Sequence, residues 1–76
     1  MGGWLVLVFQ FISAIPAIIK TIREIADLIK NMRSKDDQQK AKEDLAGIWQ
    51  ATKGNDDAAK SRLSELRDEL KKKLTR

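Results

Sequence analysis

Apolar residues recur along the first half of the chain with the spacing of a helix. The intervals between them alternate between four and three residues, in the order Trp4, Val8, Phe11, Ile15, Ile18, Ile22, Ile25, Ile29 and Met32. This alternation is the a/d pattern of a heptad repeat. We call these nine residues the heptad stripe. It predicts one long N-terminal helix that associates through the stripe with other copies of the chain.

The first part of this predicted helix is apolar on every side. Residues 2–19 carry no charge, and most positions outside the stripe are also apolar, including Leu5, Val6, Leu7, Phe9, Ile12 and Ile19. A helix of this length spans about 27 Å, at the short end of what crosses a hydrocarbon core of about 30 Å. We therefore predict a membrane-inserting segment over residues 1–19 and an amphipathic continuation of the same helix over residues 20–35.

Pro16 is the irregularity in the first helix. It removes one backbone donor and crowds the carbonyl of Ile12, so we expect a bend at this point. The composition becomes polar at residues 34–38, which leaves open whether the first helix ends near Ser34.

Residues 36–76 predict a polar helix-turn-helix tail. One helix is expected over about residues 37–52 and another over about 57–74, capped by Ser34 or Asp36 and by Asn55 or Asp56. Gly54 suits a left-handed C-terminal cap between them. The predicted core of this hairpin is formed by Leu45, Ile48, Trp49, Leu63, Leu66 and Leu70.

Positive charge is concentrated just after the apolar run. The net charge is +4, and residues 20–35 hold five basic and two acidic side chains, whereas the signs are nearly balanced over residues 36–76. Basic residues beside a membrane span stay on the cytoplasmic side, so we expect the N-terminus outside and the tail in the cytoplasm. The mixed charge of the tail argues against a nucleic-acid partner.

Side chains that carry catalysis or bind metals are scarce. The chain has no cysteine and no histidine, which removes disulfides, the usual zinc sites and the common nucleophile–base pairs. The acidic pairs Asp36–Asp37 and Asp56–Asp57 lack the spacing of a calcium loop, and we expect them at turns and helix starts. We expect neither an enzyme nor a cofactor.

A few polar and aromatic residues fit a membrane setting. Trp4 lies at the outer end of the apolar run, where an indole prefers the membrane interface, and Lys20 and Arg23 are expected to contact lipid headgroups. Gln10 and Ser13 are polar residues inside the run, suited to bonding between helices or lining a pore.

The order of an apolar helix, an amphipathic helix and a polar tail is similar to that of the TatA-type subunits of twin-arginine translocation. The opening Met1-Gly2-Gly3 is also similar. The Phe-Gly hinge and the basic amphipathic helix of that family are missing here, so the resemblance concerns architecture over about half of the chain.

These observations predict an all-α chain, with a long membrane-embedded helix and a short helical hairpin, that forms a homo-oligomer. The function we expect is that of a non-enzymatic, membrane-associated subunit that assembles into a scaffold, ring or pore, with residues 36–76 available to a protein partner. The alternative is a subunit of an extracellular filament, pilus or viral coat, in which residues 2–19 form the buried core between subunits.

Overall fold

The computed structural model of the chain describes residues 3–53 and 55–75. Over these residues the chain contains four α-helices and no strand, with 89% of the residues in helices. The helices are α1 (Gly3–Ala14), α2 (Ile19–Lys30), α3 (Lys35–Thr52) and α4 (Asp56–Leu74). The predicted all-α fold class is confirmed for this part of the chain.

The predicted long first helix is divided in two. A single 3-10 turn over Pro16–Ile18 separates α1 from α2, and the helix axis turns by 120° across the break. The proline ring disfavours a helical conformation at the preceding residue, and Ile15 has φ −136° and ψ 78°. The sequence predicts a bend here, whereas the structure ends one helix and starts another. α2 then ends at Lys30, before Ser34.

The break folds the heptad stripe into the interior of the chain. Eight of its nine residues are buried, and Trp4 packs half-buried against the same core. The stripe therefore faces the chain's own helices, because α1 packs on α2 and α3 while α2 packs on α4. Contact of the stripe with other copies stays a prediction.

Side-chain caps start α3 and α4. The hydroxyl of Ser34 accepts a hydrogen bond from the backbone N–H of Asp37 at 3.3 Å. The side-chain oxygen of Asn55 accepts one from the N–H of Ala58 at 3.1 Å. The structure thus uses the first of the two residues that the sequence offers at each start. Gly54, the predicted cap at the end of α3, lies outside the described residues.

The residues predicted as a hairpin core belong to one core that all four helices share. α3 and α4 contact each other, but α4 packs even more extensively on α2. Four of the six predicted residues are buried in this core: Leu45, Leu63, Leu66 and Leu70. The other two, Ile48 and Trp49, are partly buried and pack against it. The hairpin is therefore completed by α2.

Polar contacts link α2 to its neighbours. The carboxylate of Glu24 lies 3.9 Å from Nε of Arg67 and 3.5 Å from Nζ of Lys71, both on α4. Gln38 donates from Nε2 to the backbone carbonyl of Met32 at 2.7 Å, which closes the turn between α2 and α3. Ion pairs as exposed as these contribute little, typically under about 1 kcal/mol, so the apolar core decides the packing.

Candidate interaction surface on the first helix

The solvent-facing side of α1 is apolar. Leu5, Val6 and Phe9 are 38%, 55% and 67% exposed, respectively. They lie on the side of the helix opposite the buried Val8 and Phe11, because residues three and four positions apart share a face and Phe9 is three residues from Val6 and four from Leu5. We call Leu5, Val6 and Phe9 the α1 face. The surrounding residues 3–19 carry no charge, so no charged side chain of α1 itself borders this face.

Gln10 and Ser13 are both exposed and flank the α1 face. Ser13 lies one turn beyond Phe9 on the same side. Gln10 lies on the edge nearer α3, where it lines a shallow groove together with Trp4 and Lys42. The structure therefore places these two polar residues at the surface of one chain. A role in bonding between helices or in a pore stays a prediction.

A cation and an indole lie together at the N-terminal end of α1. The ammonium of Lys42, on α3, is 5.4 Å from the centroid of the Trp4 ring, within the range of a cation–π contact. Glu43 lines the same groove, so the charge around Trp4 is mixed. The contact holds the half-buried Trp4 against α3 and keeps a positive group beside the apolar face.

Lys20 and Arg23 follow the bend at the other end of α1. Both side chains are exposed near the start of α2. Among residues 3–53 and 55–75, neither has a carboxylate oxygen within 4.0 Å, because Glu24 of the same helix faces Arg67 and Lys71 instead. These two cations are accordingly open to an anionic ligand, and their contact with lipid headgroups stays a prediction.

The α1 face is not the surface that the sequence predicts for association. The sequence predicts the heptad stripe, and the structure buries that stripe within the chain. A signal for the face was present nevertheless: Leu5, Val6 and Phe9 lie off the stripe in a run without charge. In a small domain with one buried stripe, off-stripe apolar residues of this kind remain outside.

The acidic pairs and Ser34 occupy structural positions. Asp36 and Asp37 lie in the first turn of α3, and Asp56 and Asp57 lie in the first turn of α4, where negative charge complements the helix dipole. Ser34 serves as an N-cap. In the described part of the chain, no three acidic side chains are grouped as a metal site would require.

Two further observations bear on the α1 face. No single helix within the described residues is both long and apolar enough for a membrane span, whereas α1 and the segment Pro16–Lys30 meet these criteria jointly as a bent pair. Comparison of the chain with protein-family models, curated proteins and solved structures found no match.

Proposed function

We propose that this chain is a non-enzymatic, membrane-associated helical subunit that self-assembles on a lipid surface, and that the α1 face is the part that enters the lipid. The observation that carries the proposal is the exposure of Leu5, Val6 and Phe9 on a helix without charge. Large apolar side chains grouped on a surface are typical of protein or membrane contacts.

The length of α1 favours a position along the membrane surface. Its 12 residues form a helix about 18 Å long, well short of a hydrocarbon core of about 30 Å. A helix that lies in the interface buries its apolar side about 5–10 Å deep, at the boundary between headgroups and acyl chains. With α1 in this position, the remainder of the folded chain stays in water.

Charge around the α1 face favours an anionic leaflet. Lys42 is held beside Trp4 at one end of α1, and Lys20 and Arg23 follow its other end. Each basic residue near an anionic membrane contributes about 1 kcal/mol to binding. Because the cytoplasmic leaflet carries the anionic lipids, we propose that residues 20–76 face the cytoplasm.

Self-assembly strengthens the membrane binding that a single α1 face provides. A fully buried large apolar side chain contributes about 1.5–3 kcal/mol, and the three side chains of this face are already partly covered by the protein. Several linked copies bind a membrane far more tightly than one, since each further contact is intramolecular. The result is a membrane-bound scaffold or ring. In a pore, Gln10 and Ser13 would line the aqueous path.

Flotation with vesicles tests the lipid contact. The vesicles contain phosphatidylcholine with phosphatidylglycerol, and the variants are Phe9→Glu and its matched control Gln50→Glu. Both variants introduce one carboxylate at an exposed position, on α1 and on α3 respectively. We expect Phe9→Glu to lower the partition coefficient at least about tenfold, because a charge replaces an inserted apolar side chain. Gln50→Glu should float like the parent chain.

The other outcomes separate the alternatives. Failure of the parent chain to float, or equal flotation of both variants, contradicts a lipid-binding α1 face. Large soluble particles without flotation would favour the filament or coat subunit. Retention on membranes at alkaline pH distinguishes insertion of the bent pair from a surface position. Dye leakage from the same vesicles distinguishes a pore from a closed scaffold.

A further inference from the structure

The break between α1 and α2 interrupts the helix but not its heptad register. The alternation of four and three residues continues from Phe11 through Ile15 and Ile18 to Ile22. The helix axis nevertheless turns by 120° at this point, so the two halves of the stripe face one another across a corner. Continuous helical periodicity across a corner indicates that a straight helix is a second arrangement open to this segment.

The bent and the straight arrangements differ mainly in the backbone conformation of one residue, Ile15. Pro16–Ile18 is already a helical turn, and Ile18 lies near the helical region with φ −107° and ψ 16°. Ile15 lies outside the helical region, with φ −136° and ψ 78°. Rotation of Ile15 into the helical region joins α1 to α2. Pro16 opposes that rotation, because its ring clashes with a helical residue before it, whereas at the first position of the 3-10 turn it loses no hydrogen bond.

Straightening removes α1 from its site on the rest of the chain. In the bent form Val8 and Phe11 are buried, and the Phe11 ring contacts Trp49 of α3 with centroids 4.7 Å apart. Trp4 of α1 lies beside Lys42, which is also on α3. Without α1, this site on α2 and α3 is an apolar surface in need of cover. The surface that fits it, side chain for side chain, is α1 of a second copy.

We propose that α1 is exchanged between copies of this chain, with Ile15 and Pro16 as the hinge. The inference rests on the self-assembly proposed above and names its mechanism. The Phe11–Trp49 and Trp4–Lys42 contacts re-form between two chains, so exchange requires no new interface. Reciprocal exchange between two copies gives a closed dimer, and onward exchange from copy to copy gives an open chain of subunits.

Cross-linking between single-cysteine variants tests the exchange. The chain has no cysteine of its own. Gln10→Cys and Ala46→Cys place thiols on the groove that α1 forms with α3. We unfold and refold the two variants together, with and without phosphatidylglycerol vesicles, and add a short bis-maleimide. The expected product is a covalent heterodimer of one Gln10→Cys and one Ala46→Cys chain. The control pairs Gln10→Cys with Lys73→Cys, whose position lies on a separate groove with Asn31 and Ser34.

Substitution of the hinge supplies the second measurement. Pro16→Ala permits a helical Ile15 and restores the N–H to the carbonyl of Ile12, and it should raise the yield of heterodimer at least about tenfold. Pro16→Gly also removes the ring but disfavours a continuous helix, so its yield should be roughly fivefold below that of Pro16→Ala. A yield for Pro16→Ala at or below that of the parent hinge overturns the proposal.

Light scattering on the same samples distinguishes a failure of α1 exchange from a failure of self-assembly. Oligomers in which the Gln10→Cys and Ala46→Cys chains form no covalent heterodimer contradict the exchange and leave self-assembly standing. A monomer under every condition, with and without vesicles, contradicts both. A heterodimer that forms equally with Lys73→Cys reflects random collision, and it also overturns the exchange.

Discussion

The rings of Phe11 and Trp49 meet edge to face, with an interplanar angle of 76° and centroids 4.7 Å apart. Phe11 is fully buried, and Trp49 is partly buried beside the core. Such pairs contribute about 0.5–1.5 kcal/mol beyond the area they bury. This contact joins α1 to α3, and it makes the side of α1 that carries Phe11 the attached side.

Two phenylalanines on α1 should therefore behave in opposite ways. Phe11→Ala should lower the free energy of unfolding by about 3–5 kcal/mol, because it leaves a cavity and removes the aromatic contact. Phe9→Ala, at a position 67% exposed, should change it by no more than about 0.5 kcal/mol. Urea unfolding followed by circular dichroism measures both. A comparable loss for the two variants would mean that α1 packs through a different side.

Substitution of Gly47 by alanine should stabilise the fold. It lies inside α3 on an exposed position, and a Cβ added there meets no atom within 4 Å. Alanine loses less backbone freedom than glycine on folding into a helix, so Gly47→Ala should raise the free energy of unfolding by about 0.5–1 kcal/mol. Gly3→Ala, at the first residue of α1, is the control and should have little effect. Destabilisation by Gly47→Ala would show that α3 packs against another surface at this position.

Helices and caps could be predicted from the sequence where the local pattern of residues is strong. The sequence predicts Ser34 and Asn55 as candidate caps, because short polar side chains before an amphipathic segment satisfy free N–H groups locally. It predicts α3 and α4 for the same local reasons, and α4 ends at Leu74 as predicted. Pro16 predicts a bend, yet the size of the turn depends on packing of α1 against α3, which no local pattern encodes.

The site was harder to predict than the elements. The heptad stripe has the same pattern whether it packs on other copies or on the chain's own α3 and α4. The choice depends on Leu45 and Leu63, distant in sequence, that complete the core in one chain. Once the stripe is buried, Phe9 becomes the exposed residue by elimination. The periodicity of the sequence therefore identifies the heptad stripe, but it does not show which side of α1 stays exposed to solvent.

The position of positive charge should decide binding to anionic vesicles more than its amount. Lys20→Gln with Arg23→Gln should weaken binding to phosphatidylglycerol vesicles about 30-fold at low salt, since each residue contributes about 1 kcal/mol near the surface. Lys30→Gln with Arg33→Gln removes the same two charges from a net +4, but at exposed positions further from α1, and should weaken binding less. The difference should shrink as added salt shortens the Debye length. Titration of vesicles at two ionic strengths measures it. Equal losses for the two double variants would mean that net charge alone, without a defined orientation of α1, holds the chain on the membrane.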